Sequence, residues 1–129
     1  MILDTTFLVD ILRGNRDTIP ALKKIDESGS GNQVAATTVQ EIIRGSHLSR
    51  STKEQEKVAS MMSKLTVIPF DERAARIAGF LQADLDMQGE PIDVQDVQIA
   101  AVALSNDVAV MTRNAKHFSR IKGLKIQTY

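Results

Sequence analysis

The chain has 129 residues, no cysteine, and 16 basic residues against 16 acidic ones, so its formal net charge is zero. That is enough chain for one domain, residues 1–129, with a real core, and 43% hydrophobic residues exclude intrinsic disorder. Without cysteine there is no disulfide frame and no thiolate zinc site, and with only His47 and His117 any bound metal has to be held by oxygen, which points to Mg²⁺ or Mn²⁺.

No apolar run reaches the roughly 20 residues a membrane helix needs. No basic leader or small-residue cleavage site precedes the first strand, so a cytoplasmic location is expected. Charge is unevenly spread. Asp71 to Asp96 holds Asp71, Glu72, Asp84, Asp86, Glu90, Asp93 and Asp96 against Arg73 and Arg76. Val108 to Tyr129 holds Arg113, Lys116, Arg120, Lys122 and Lys125 and no acid. Such asymmetry can place metal ligands beside phosphate-binding groups, and is also common in proteins that bind neither.

Met1–Asp4 reads as a short buried strand, followed by a helix over Thr6–Arg13. An amphipathic helix is predicted near Thr18–Glu27, with Ile19, Leu22 and Ile25 on one face. After the Ser28–Asn32 loop comes a second strand at Gln33–Thr37, and Thr38 starts a helix to about Leu48. Lys53–Leu65 carries Val58, Met61, Met62 and Leu65 at helical spacing. Thr66–Phe70 is a third strand. Asp71 caps a long helix to about Met87, which Gly89-Glu90-Pro91 ends. Val94–Ser105 is almost wholly apolar and is predicted to be a buried helix. Val108–Met111, a short helix near Ala115–Arg120 and a strand at Leu124–Gln127 complete the pattern. Strand–helix alternation throughout predicts an α/β sandwich around a mostly parallel sheet.

In open parallel sheets, ligands bind in the crevice beyond the carboxyl ends of the strands. Asp4 follows the first strand at once. Glu41 lies just past the second, and Thr38-x-x-Glu41 alone is fully explained as a capping box. Asp93 as a cap and Asp96 in the first helical turn are equally explained by the helix dipole, which favours an acid there by about 0.3–1 kcal/mol. Jointly the acids say more. If Asp4, Glu41 and Asp96 converge on one crevice, their carboxylates repel unless a cation neutralises them. A divalent ion would satisfy that cluster, lower the pKa of a bound water and clamp a phosphoryl oxygen. Asp71 reads as a cap only, and Asp10 and Asp17 as surface or capping residues. Thr112-Arg113-Asn114 follows the fourth strand, so Thr112 is placed to bond a ligating carboxylate or a phosphate and Asn114 to orient a water. The bland alternative is that Asn114 caps the next short helix, where His117 and Phe118 lie.

Four stretches together resemble the PIN-domain family, and among its members the VapC-type toxin ribonucleases. They are Ile2-Leu3-Asp4-Thr5-Thr6-Phe7-Leu8-Val9-Asp10-Ile11-Leu12-Arg13-Gly14, then Thr38-Val39-Gln40-Glu41-Ile42-Ile43-Arg44-Gly45, then Gly89 to Ala101, and Met111-Thr112-Arg113-Asn114-Ala115-Lys116-His117-Phe118. The resemblance implies a three-layer sandwich with a five-stranded parallel sheet and helices on both faces. It implies Mg²⁺- or Mn²⁺-dependent endonucleolytic cleavage of RNA, with Asp4, Glu41 and Asp96 as catalytic and metal-site carboxylates and Asp93 as a further candidate. Thr112 matches a polar position beside them, with Thr5 and Asn114 as supporting polar groups. It also implies a homodimer silenced by an antitoxin that inserts a segment into the active-site groove. Where the family often has a fourth acid this chain has His117, which predicts one well-formed metal site and a second filled only with substrate. Arg44, Arg113, Lys116 and Arg120 are expected to position an RNA backbone. Three rivals stand beside this reading: an RNA-processing nuclease without antitoxin, an inactive binding module that kept the fold, and a phospho-acceptor domain. The last needs an acid pair after the first strand, and Asp4 stands alone there.

Overall fold

Short strands and longer helices alternate along the whole chain, and the computed structural model describes residues 1–129. The elements are β1 (Ile2–Leu3), α1 (Thr5–Leu12), α2 (Thr18–Ser28), β2 (Gln33–Ala35), α3 (Ala36–Leu48), α4 (Thr52–Met62) and β3 (Thr66–Ile68). They continue with α5 (Glu72–Met87), α6 (Val94–Ser105), β4 (Val110–Met111), α7 (Ala115–Phe118) and β5 (Ile126–Gln127). The five strands form one sheet in the order β3-β2-β1-β4-β5, with every pair parallel. The predicted architecture is the one observed. No helix is long and apolar enough to cross a membrane.

Period-two alternation in the strands divides the core. Ile2, Ala35 and Val110 face one layer, packed with α5, α6 and Phe118 of α7. Leu3, Val34 and Met111 face the other, packed with Phe7 and Leu8 of α1, Ala21 and Ile25 of α2, Ile42 of α3 and Val58 of α4. The apolar run predicted as a buried helix is α6, where Val97 and Ile99 to Ala103 are all buried. Met61 and Met62 are partly buried against the second layer, as core residues.

Most boundaries move by a residue or two, as helix ends do. The start of α3 matters more. β2 ends at Ala35 and α3 begins at Ala36, with no side chain capping it. Thr38 therefore lies inside the first turn, 1% exposed, and its hydroxyl accepts from Thr5 Oγ1 at 3.2 Å. The Thr38–Glu41 capping box does not form, because the helix starts two residues earlier and puts Thr38 inside its first turn. Asp71 does cap: its Oδ1 accepts from the Ala74 amide at 2.9 Å. Asp71→Ala is expected to lower stability by about 1 kcal/mol in a urea melt, with no change in the m-value.

Candidate active site

Strand order reverses at β1: β2 and β3 lie to one side, β4 and β5 to the other. The crevice at the carboxyl ends of β1 and β4 is therefore the switch point of the sheet. The residues immediately after these two strands are Asp4 and Thr112, 1% and 0% exposed. Asp4 sits at the N-cap position of α1 but makes no capping bond. Its Oδ2 instead accepts two hydroxyls, Thr112 Oγ1 at 2.6 Å and Thr6 Oγ1 at 2.7 Å. Thr112 Oγ1 in turn accepts the Asn114 amide at 2.8 Å, so the loop after β4 is locked around Asp4. Both strong bonds fall on one oxygen, and Oδ1 has no hydrogen-bond donor. A helix-capping role would use the backbone amides of α1, and it is not observed.

Asp96 lies in the first turn of α6, behind a cap made by Asp93, whose Oδ1 accepts from the Gln95 amide at 3.1 Å. The Asp96 carboxyl is pushed up to about 6, by burial first and then by the negative charge of Asp4, with a smaller contribution from Asp93. His117 acts the other way, its Nδ1 standing 3.5 Å from Asp96 Oδ2. Asp4 and Asp96 thus repel each other in a partly dry crevice. Glu41, on α3, joins through Gln95. With the Gln95 amide nitrogen facing it, Gln95 donates to the two Glu41 oxygens at 2.7 and 3.0 Å. The chain neighbour of Asp96 therefore touches Glu41, although no three acidic or imidazole groups stand close enough to enclose an ion as they are.

The donor set fits a hard cation. Asp4 is held by one oxygen and leaves the other without a donor, and Asp96 carries an unfavourable charge that a cation would relieve. Of the supporting residues, Thr5 ties α1 to α3 through Thr38. Asn114 stands at the start of α7 without capping it. Lys116 and Arg44 are exposed, with Arg44 lining a polar groove that begins at Thr5 and Glu41. Arg113 is half-exposed and pairs with Asp10 at 3.2 Å, and Arg120 spends a donor on the Pro91 carbonyl at 3.3 Å.

Asp10 is the correction. It is 4% exposed, neither surface nor cap, and it accepts from both Arg113 and Tyr129. One signal was in the sequence: Asp10 falls three residues after the buried Phe7, and an acid on an apolar helix face is the informative exception. Nothing marked Thr6, Gln95 or Tyr129, whose roles depend on partners that only folding brings near.

The family pattern described as PIN domain matches residues 1–124 of this chain. The tRNA(fMet)-specific endonuclease VapC of Salmonella typhimurium is 31% identical over 97 residues, 74% of this chain and 74% of that protein. Ribonuclease VapC1 of Methanocaldococcus jannaschii is 30% identical over 129 residues, 98% of this chain and 85% of that protein. In the crystal structure of DNA-bound VapBC from Salmonella typhimurium, a chain 27% identical superposes with a TM-score of 0.87, over 98% of this chain and 96% of that one.

Proposed function

Because the chain belongs to the PIN-domain family, we propose that it is a divalent-metal-dependent endoribonuclease, the toxin of a VapBC-type toxin–antitoxin pair. The observation that carries this is the Asp4–Asp96 pair at the switch point, one carboxylate oriented by two hydroxyls and the other raised by burial and repulsion. The names of the relatives support the chemistry. Asp4 and Asp96 would hold Mg²⁺ or Mn²⁺, with Glu41 completing the site once Gln95 releases it. Asp93 keeps its cap and contributes charge. The chemistry a cation held by these residues would supply is a more acidic bound water and neutralisation of charge on the phosphoryl oxygens.

The protein's own part is orientation. Thr6 and Thr112 hold Asp4 so that no reorganisation is needed when substrate arrives. His117 Nδ1 stands beside Asp96 Oδ2, restraining that carboxylate and lowering its proton affinity. Arg44, Lys116 and Arg113 lie on elements around the crevice, where cationic side chains bind the phosphate backbone without reading sequence.

The antitoxin reading, a segment inserted into the active-site groove, is supported by the toxin–antitoxin complexes among the structural neighbours and by a hollow that adjoins the Thr5–Glu41 groove at Leu12 and Arg13. The hollow, of about 600 Å³ between α1, α2 and α4, is floored by Leu8, Leu22 and Met61 and edged by Arg13, Lys57 and Lys64. An apolar floor with a basic rim suits an amphipathic segment carrying acids. The proposed homodimer would cover Phe80 and Met87 of α5, which are 75% and 78% exposed. The test is direct: purified protein incubated with total RNA should generate discrete fragments with Mn²⁺ and none with EDTA. Intact RNA under both conditions would overturn the nuclease assignment.

A further inference from the structure

We propose that Asp10 is a positioning residue for this centre: gripped by Tyr129 and Arg113, its buried carboxylate pins the three segments that hold Asp4 in place. The inference rests on the nuclease reading for its catalytic readout but not for its geometry. Asp10 lies on α1, six residues after Asp4. Tyr129 Oη donates to Asp10 Oδ2 at 2.5 Å, and Arg113 Nη2 reaches Oδ2 at 3.2 Å and Oδ1 at 3.3 Å. Each partner belongs to a different segment: Arg113 to the loop after β4, and Tyr129 to the chain beyond β5.

The loop after β4 and α1 itself present the two hydroxyls to Asp4. Thr112, the donor at 2.6 Å, is the residue before Arg113. Thr6, the donor at 2.7 Å, sits one turn before Asp10 on the same helix. The Tyr129 ring packs edge-on against the fully buried Phe7, centroids 4.6 Å apart and planes at 69°. Burial and Asp10 raise the phenol pKa, so it stays a donor at every physiological pH. Backbone bonds complete the frame, from the Thr112 amide to the Gln127 carbonyl and from the Asp4 amide to the Met111 carbonyl. A carboxylate this buried normally costs stability unless paired. A purely structural position would be filled as well by an apolar side chain. Here the charge ties together α1 and the loop after β4, which both bond Asp4, and the chain beyond β5, which follows the strand end bonded to the Thr112 amide.

Two variants of the full chain test this. Asp10→Asn removes the charge at constant shape, and Tyr129→Phe removes only the hydroxyl while the ring keeps its place on Phe7. Each is expected to lower kcat for RNA cleavage by about tenfold, with KM unchanged, and to weaken Mn²⁺ binding, followed by electron paramagnetic resonance, by about tenfold. Because both act through one carboxylate, the double variant should be no worse than Asp10→Asn alone. Losses that multiply, a change confined to KM, or wild-type kcat in Tyr129→Phe would overturn the proposal. So would a lowered melting temperature with unchanged kcat and Mn²⁺ affinity, the result of a merely structural role. If Asp10→Asn does not fold, Tyr129→Phe decides alone. The two readings separate cleanly. If the wild type binds Mn²⁺ through Asp4 but cleaves no RNA, weaker binding in these variants upholds the positioning role while the nuclease assignment falls. If the wild type neither cleaves RNA nor binds Mn²⁺ through Asp4, both fall.

Discussion

Asp4→Asn and Asp96→Asn should each abolish RNA cleavage, with losses on the order of 100–1,000-fold and near-normal folding. Both changes keep the side-chain volume. Asp4→Asn can still accept the Thr6 and Thr112 hydroxyls through its amide oxygen, so the loop after β4 should remain in place. What is lost is the negative charge a cation needs. Asp4→Asn also removes the second-largest cause of the raised Asp96 pKa, so Asp96 should titrate lower in that variant. Measuring that carboxyl by NMR in the wild type and in Asp4→Asn separates a damaged fold from a damaged centre. Full activity in either variant would show that the carboxylate pair is not the reacting site.

Mn²⁺ should raise the melting temperature markedly at pH 7.5 and about half as much at pH 5. At a concentration 100 times its dissociation constant, a ligand adds about 2.7 kcal/mol, which corresponds to roughly 10 °C for a chain of this size. The pH dependence follows from Asp96, raised from 3.8 to about 6 by burial and then by Asp4. The folded protein binds this proton more tightly than the unfolded chain does. Metal-free stability from this group is therefore full below about pH 4 and is lost as the pH climbs through about 6. The cation competes with the same proton. Below the carboxyl pKa its affinity falls about tenfold per pH unit, and the thermal shift shrinks with it. A shift of equal size at both pH values, or one retained in Asp4→Asn, would place the cation elsewhere.

The exposed caps and the interior network differ in how visible they were. Asp71 is a local device: a carboxylate reaching an amide three residues on, readable from spacing alone, and found so. Thr38 obeys the same spacing rule on paper. It escapes the rule because α3 begins two residues earlier, at Ala36, and its hydroxyl faces Thr5, 33 residues away. Glu41, freed of that cap, is met by Gln95 from α6. Asp4 was legible as a strand-end acid, but whether it capped α1 or faced the crevice turned on Thr112, 108 residues distant.

Periodicity and alternation by themselves determined the layered α/β sheet and the buried α6. Both arise from short-range rules, the twofold pleat of strands and the helical repeat, which every local window of residues carries. They also placed Asp4 directly after the first strand and Asp96 in the first turn of α6, where both are found. Only the tertiary structure decided which bonds these acids make, that Asp10 is buried, and that Tyr129 reaches back to it. Those contacts join residues separated by 119 positions or nearly as many. No pattern of neighbours encodes them, because they exist only once a parallel sheet has brought the ends of β1, β4 and β5 side by side.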